Sequence, residues 1–307
     1  MKGPSNRIVL VVSAIAAVSL GIAVVLFFTT TTNLFGQPGG RFSVEQRRSF
    51  PLEGIAEINV RSSSTDVVIG KTQGGTVDLY LHGTVRSSRP GAAPELLAER
   101  SGRSLMISTD RRNVVVLGFF SSNLVLEIGV PEQYAGALVV HTSSGDVDIT
   151  GQDLSALSVE TSSGDMRLSS LQASTLSMKS SSGDQTVNGL GAGLAEFGSS
   201  SGDILVENLQ GGARAESSSG SITLRFREFS SDVEVQSSSG DVELYLTGSA
   251  QFRLEARSSS GDIDCAFPLT LSGASSEIRR NRMVATVGEG THRVVVQTSS
   301  GDITIAP

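Results

Sequence analysis

The stretch Leu-Ser-Val-Glu-Thr-Ser-Ser-Gly-Asp-Met-Arg-Leu, residues 157–168, holds two alternating runs joined by a polar corner. Leu157, Val159, Met166 and Leu168 are apolar, and Ser158, Glu160 and Arg167 between them are polar. This is the period of strands with one buried face. The corner recurs, as Ser-Ser-Gly-Asp or close to it, at Gly145–Asp146, Gly164–Asp165, Gly183–Asp184, Gly202–Asp203, Gly220–Ser221, Gly240–Asp241, Gly261–Asp262 and Gly301–Asp302. Successive glycines stand 19, 19, 19, 18, 20, 21 and 40 residues apart. The last interval is twice 20 and places an unmarked corner at Asn281, a residue that shares glycine's tolerance for left-handed backbone. A period near 20 signals a repeat architecture.

Counted from the glycine, apolar residues fall at −7, −5, +2 and +4, as Val233, Val235, Val242 and Leu244 also illustrate. Leu154, Leu171, Leu190 and Leu209 add an apolar anchor before the next unit begins. Two topologies fit: a parallel solenoid in which each unit is one coil on the previous one, and an antiparallel meander. Identical corners favour the solenoid, because stacking brings them about 4.8 Å apart and lets like side chains share hydrogen bonds. The fold class expected is therefore all-β, a single-stack parallel β-solenoid of about 19–20-residue coils, preceded by one transmembrane helix.

The same register runs through Ile58, Val60, Ser62, Ser63, Ser64, Thr65, Asp66, Val67 and Ile69, with Thr65 in the glycine's place, and predicts a degenerate first coil. Between it and Gly145, strand-like runs occur at Val77–Val85, Leu105–Ser108, Val114–Leu117 and Leu124–Val130. Glu95–Arg100 reads as a short helix or a strand, and the whole stretch as irregular coils or a cap. The last coil, Ile303–Ile305, reads as an exposed edge partly blocked by Pro307.

The run Ile8–Phe28 carries no charge and is long enough to cross a bilayer once. Lys2 and Arg7 precede it, so the positive-inside bias keeps the N-terminus cytoplasmic and exports the rest. Phe27 and Phe28 run into Thr29–Thr32 without a small-residue cleavage site, which favours an uncleaved anchor over a signal peptide. The expected organisation is a cytoplasmic tail over 1–7, an anchor over 8–28, a tether over 29–41, degenerate coils or a cap over 42–135, and the regular solenoid over 136–307. One cysteine excludes a disulfide framework, and a net charge of −7 disfavours nucleic acid as a partner.

The run Leu124, Leu126, Ile128, Val130, Pro131, Glu132, followed by Val140, Thr142, Ser143, Ser144, Gly145, Asp146 and Val147, resembles the bacterial DUF4097 family, described as candidate adhesins. The later corners, and the ending Thr298, Ser299, Ser300, Gly301, Asp302, Ile303, are similar to that family too. The resemblance covers most of residues 50–307. It implies a β-solenoid in an envelope or surface protein, often membrane-anchored, with no established reaction and no catalytic residues to carry over.

Candidate chemistry is sparse. Stacked corner aspartates suggest a cation site, but Ser221 interrupts them and the spacing departs from the calcium-roll motif, so they read as turn caps accepting local N–H or serine O–H groups. Gly198-Ser199-Ser200-Ser201-Gly202 spells a nucleophile elbow, yet Ile204–Val206 continues as strand where that motif needs a helix. Gly70-Lys71-Thr72 lacks the opening glycine of a phosphate loop. His82, His141 and His292 show no ligand spacing to one another or to Cys265, which sits at an inward +4 position. The hydroxyls at −3, from Thr142 to Thr298, form a ladder that serves the bend itself or binds glycans or ice. No catalytic residue, cofactor or metal site is expected. The function expected is a non-catalytic, membrane-anchored, extracytoplasmic scaffold or binding protein, adhesin-like, with an envelope protein or surface glycan as partner. The alternatives are an accessory to envelope-stress signalling, its signal passing through the helix because Met1–Arg7 is short, and a polysaccharide-active β-helix enzyme.

Overall fold

The computed structural model describes residues 40–87, 93–110, 120–271 and 276–307; the run Ile8–Phe28, most of the tether and Val114–Leu117 lie outside the described residues. Among the described residues there are 22 strands and no helix long and apolar enough to cross a membrane.

The repeats stack as parallel rungs. Asp153–Thr161 lies between Ala137–Thr142 and Met166–Ser180, parallel to both, so that Val159 faces Val140 on one side and Met178 on the other. Met166–Ser180, Gln185–Ser199 and Ile204–Ser217 continue the stack in the same sense. Equivalent residues therefore sit directly over one another, which excludes the meander. The −7, −5, +2 and +4 positions point inward: Leu157, Val159, Met166 and Leu168 are each at most 2% exposed. Their interior forms one continuous core from Val44 to Ile305. Burial of each such side chain contributes about 1.5–3 kcal/mol.

Four successive coils bend a second time six residues after the corner glycine, where Gly151, Ser170, Gly189 and Asn208 all have positive φ, from 55° to 79°. The residue type varies at this bend, so the repeat does not announce it. At the first corner the glycines do not have positive φ, contrary to the reading that linked them to Asn281 through left-handed backbone. They are glycines because of close approach. A Cβ at Gly164 would fall well inside 3.0 Å of the Gly145 carbonyl, and one at Gly183 inside the same distance of the Gly164 carbonyl. The same holds at Gly202, Gly220, Gly240, Gly301 and Gly261.

Stack order and chain order part company at both ends. Glu57–Ser62 and Asp66–Thr72 lie between the rung of Ala137–Thr142 and Val147–Thr150 and the later strands Ser104–Asp110 and Phe120–Pro131. Likewise His292–Thr298 and Ile303–Ala306 are inserted between the rung of Val233–Ser237 and Val242–Tyr245 and that of Phe252–Ser258 and Ile263–Cys265. Ile303–Ile305 is thus paired on both sides and is no edge, correcting the sequence reading. The exposed ends are closed by antiparallel strands. Arg41–Pro51 pairs with Thr76–Ser87, which pairs with Phe120–Pro131, and Glu95–Ser101, a strand, pairs with Ser104–Asp110. The stretch before Gly145 is therefore both a coil and a cap.

At the other end, Glu277–Arg279 and Arg282–Val287 form a hairpin laid antiparallel on Phe252–Ser258. Asn281 is in the turn of this hairpin, not at a corner of its own rung. The turn still tops the corner stack, because Asn281 O accepts from Ser258 N–H and Arg280 O from Ile263 N–H. Near the hairpin, Phe229 meets Phe226 and Phe252 edge-on, and Phe252 meets Phe267 in the same way.

Gly183→Ala is expected to lower the unfolding free energy by about 1–3 kcal/mol or more, because the atoms met are backbone and cannot swing aside. Chemical denaturation measures this; a loss below 1 kcal/mol, about the size of an ordinary surface effect, would refute the close-approach argument.

Candidate functional site

Two rows of hydrogen bonds run along the corners. Within a coil, the −3 hydroxyl accepts from the corner glycine N–H: Thr142 from Gly145 at 3.0 Å, Thr161 from Gly164 at 2.9 Å, Ser180 from Gly183 at 2.7 Å, Ser237 from Gly240 at 3.0 Å, Ser258 from Gly261 at 2.7 Å and Thr298 from Gly301 at 3.2 Å. Ser62 does the same for Thr65 N–H in the degenerate coil, at 3.0 Å. These hydroxyls are turned inward and used by the bend, so they do not form an open binding ladder. Two depart from the pattern: Ser199 and Ser217 have buried hydroxyls with no partner.

Between coils, the corner carboxylate accepts from the N–H of the next corner. Asp165 N–H donates to Asp146 Oδ1 at 2.9 Å, Asp184 N–H to Asp165 at 3.1 Å, Asp203 N–H to Asp184 at 2.9 Å and Ser221 N–H to Asp203 at 2.8 Å. The series extends down to Asp66, which accepts from Asp146 N–H, and resumes upward from Asp241 through Asp302 to Asp262. The aspartates cap the neighbouring turn and not their own, because stacking brings the next N–H within reach. Among the described residues no such bond joins the Ser221 hydroxyl to Asp241.

The terminal carboxylate, Asp262, has no further rung above it. Arg280 of the hairpin turn takes that place, bonding both of its oxygens. The Arg280 guanidinium holds the Asp262 carboxyl below the usual carboxylate range. Lower in the stack, Arg167 reaches Asp165 at 2.8 Å and Asp146 at 3.4 Å, relieving repulsion that would cost about 1 kcal/mol per like-charged pair in water-like dielectric. Beside them, burial pushes the Asp148 carboxyl up, with Arg167 opposing and Asp146 and Asp66 reinforcing the rise. No group of three or more His, Cys, Asp or Glu among the described residues is arranged to hold a metal.

The histidines are dispersed. His141 Nδ1 lies 3.2 Å from Glu160 on the next rung, His82 Nε2 3.1 Å from Glu127, and His292 Nδ1 3.9 Å from Asp232. The structure therefore brings His141 to a carboxylate but assembles no nucleophile with it. Cys265 is half-buried at its +4 position, and burial raises its thiol pKa. Lys71 pairs with Asp153 at 2.7 Å, far from any phosphate-loop geometry. Gly198 to Gly202 spans a corner between two strands, Gln185–Ser199 and Ile204–Ser217.

Two clefts have room for a ligand: one of about 1050 Å³ beside the hairpin, lined by Asp232, Arg253, Glu255, Glu289, His292 and Arg293, and one of about 760 Å³ on the outward face before the corners. The second runs along the repeat. Its floor is the −4 row, in stack order Lys179, Gly198, Glu216, Gln236, Gln297 and Arg257, and its wall the serines that follow. Gly198 alone in this row lacks a side chain. Beneath it, Gln185 occupies an inward +2 position that is apolar in neighbouring coils; it is fully buried and donates from Nε2 to Gly198 O at 2.6 Å, while its Oε1 has no partner. Gln185 and Gly198 depart from the repeat in residue type, Ser199 and Ser217 only in hydrogen bonding, and the four lie at one place in the stack. Both departures were available in the sequence, where Gly198 interrupts the −4 row and Gln185 breaks the apolar +2 column, but only the closure of their coil shows that they adjoin.

Two substitutions test this division of labour. Ser237→Ala should cost about 1–3 kcal/mol in chemical denaturation because it orphans the Gly240 N–H, whereas Ser217→Ala should cost less than about 0.5 kcal/mol; equal losses would contradict it. Asp148→Asn should stabilise the fold at pH 7. The folded-state pKa of Asp148 lies above its unfolded value, so ionisation penalises the folded state as pH rises through that interval, and the difference between the two proteins should vanish below about pH 4. Melting curves over pH 3–8 would show a constant offset if this were wrong.

No curated protein gives a significant match. Among solved structures, similarity extends to a candidate adhesin from Bacteroides fragilis, at 15% identity over 84% of this chain and 95% of that chain with a TM-score of 0.47. It extends also to a candidate adhesin from Parabacteroides distasonis, at 10% identity over 87% and 97% with a TM-score of 0.42. A candidate lipid-binding protein from the same species matches at 14% identity over 85% and 96%, with a TM-score of 0.38. The family profile described as Toastrack DUF4097 matches residues 55–306, and with its parallel corners in register over that span the chain belongs to this family.

Proposed function

We propose that the protein is a non-catalytic, membrane-tethered, extracytoplasmic β-solenoid that presents its polar outer face to a component of the cell envelope, in an adhesin-like or scaffolding role. The observation that carries this reading is the allocation of corner groups: in most units the −3 hydroxyl, the glycine amide and the corner aspartate serve the stack itself, and what varies from rung to rung is the outward face. A surface that is rigid along its axis and variable across it suits recognition of an extended partner. The uncharged run Ile8–Phe28, with Lys2 and Arg7 before it, supports anchoring with the solenoid outside.

Expressed in cells, the full chain is expected to remain with carbonate-washed membranes while added protease cleaves the solenoid from outside. Deletion of residues 8–28 should leave a soluble, folded domain that binds isolated envelope fragments. A mature N-terminus near residue 30 in intact mass would defeat the anchor. Turnover of any envelope polysaccharide would defeat the non-catalytic assignment.

A further inference from the structure

We propose that the outermost strand of the N-terminal cap, Arg41–Pro51, is a self-association edge, to which a second copy of this chain adds its own Arg41–Pro51 antiparallel, joining two solenoids cap to cap. This goes beyond the surface-binding role and does not depend on the anchor. Among the described residues, Arg41–Pro51 pairs with Thr76–Ser87 and with no other strand. Its sheet reaches one strand further down the stack than the opposite sheet, which ends at Glu95–Ser101. Gln46 already engages the edge of that shorter sheet, its Oε1 accepting from Leu96 N–H at 2.8 Å. The edge of Arg41–Pro51 is 11 residues, about 37 Å, long, and its pairing with Thr76–Ser87 runs without a bulge. An edge of that length and regularity is a template for a further strand.

The hydrogen bonds at the two ends of the strand fix which groups face outward along that edge. Ser87 N–H donates to Gly40 O at 3.4 Å, and Leu52 N–H to Gly75 O at 2.8 Å. Both bonds lie in the register that sets Arg41 opposite Arg86, and in an antiparallel ladder bonded and non-bonded pairs alternate. The even-numbered residues therefore bond Thr76–Ser87. The N–H and C=O groups of Arg41, Ser43, Glu45, Arg47 and Ser49 point the other way, and the side chains of all five are exposed.

What identifies the partner is that the edge is complementary to its own reverse. A two-fold axis through Gln46 sets Glu45 opposite Arg47, Ser43 opposite Ser49 and Phe42 opposite Phe50, and each of these pairs occurs twice. In this register the outward N–H and C=O groups of one copy meet those of the other, because odd-numbered residues face odd-numbered ones. An axis between two residues would instead set them against groups already bonded to Thr76–Ser87. Moving the axis one residue, to Glu45 or to Arg47, sets Glu45 on Glu45 or Arg47 on Arg47, like charges directly opposite. Charge and backbone direction thus select the same register. Tyr80 holds both side chains on the outward face: its O–H donates to Glu45 Oε1 at 2.8 Å, and the Arg47 guanidinium lies 3.9 Å from its ring centre. The axis is normal to the sheet, so the two columns extend in opposite directions and the outward face of each stays free.

The test uses the purified full chain in mild detergent and sedimentation equilibrium over a wide range of protein concentration. The wild-type chain should form a dimer as concentration rises. Glu45→Arg and Arg47→Glu should each weaken self-association at least about tenfold, because each sets like charges opposite one another at two places. Mixed together, the two variants should recover a one-to-one dimer, since each supplies the charge the other has lost. In a Cys265→Ser background, a short thiol crosslinker should join Ser43→Cys to Ser49→Cys in a mixture and should join neither variant to itself. Melting temperatures close to that of the wild type would show that all these variants fold. The proposal is overturned if the wild-type chain stays monomeric, if either charge variant dimerises as the wild type does, if mixing the two recovers nothing, or if the crosslink forms within a single variant.

Discussion

A backbone carbonyl of each corner presses against the α-carbon of the corner above it, and the stack depends on that contact. It leaves no space for a side chain, which is why glycine recurs there although the backbone conformation is one any residue could adopt. Once the corners are this close, the rest follows from distance. The N–H of one turn falls within reach of the carboxylate of the turn below, so aspartate becomes an inter-rung cap. The glycine N–H is left for the hydroxyl three residues earlier, so that position is serine or threonine. A five-residue signature, from the hydroxyl to the aspartate, thus encodes one steric constraint and the two hydrogen bonds it makes necessary.

The same constraint explains the charge pattern. Parallel stacking superposes like charges at the exposed corner edge, while at Asp148 burial itself raises the carboxyl, with Asp146 and Asp66 adding to the rise and Arg167 opposing it. The molecule answers locally. Arg167 sits between two corner aspartates, Ser221 omits one charge, and Arg280 closes the open end of the ladder. These three residues look unrelated along the chain and have one electrostatic role in the stack.

Much of the fold was legible because the period-two alternation around Gly164 or Gly240 reports burial directly. Leu157, Val159, Met166 and Leu168 were all assignable to the interior from their spacing. The second bend was not, since Gly151, Ser170, Gly189 and Asn208 share a backbone conformation and not an identity. Asn281 misled for the opposite reason: it lies at the right interval, but antiparallel pairing of Arg282–Val287 with Phe252–Ser258 makes it a hairpin turn. The role of aspartate was misjudged because a local turn cap and an inter-rung cap require the same residue at the same place. The irregular spot beside the cleft was hardest to see, because Gln185 and Gly198 meet only when the coil holding both bends back on itself, and Ser217 joins them from the next coil.

The displaced rung at residues 292–306 bears on how the protein is made. When a ribosome has delivered everything up to the hairpin of Glu277–Arg279 and Arg282–Val287, the strands on either side of the vacant slot still lack a common neighbour. Closure waits for a segment that is synthesised later and must slide into the middle of a nearly finished column. Vectorial delivery therefore cannot complete this molecule progressively from one end to the other. An interrupted chain would keep two mutually complementary faces open, a state that quality-control proteases could distinguish from the finished product.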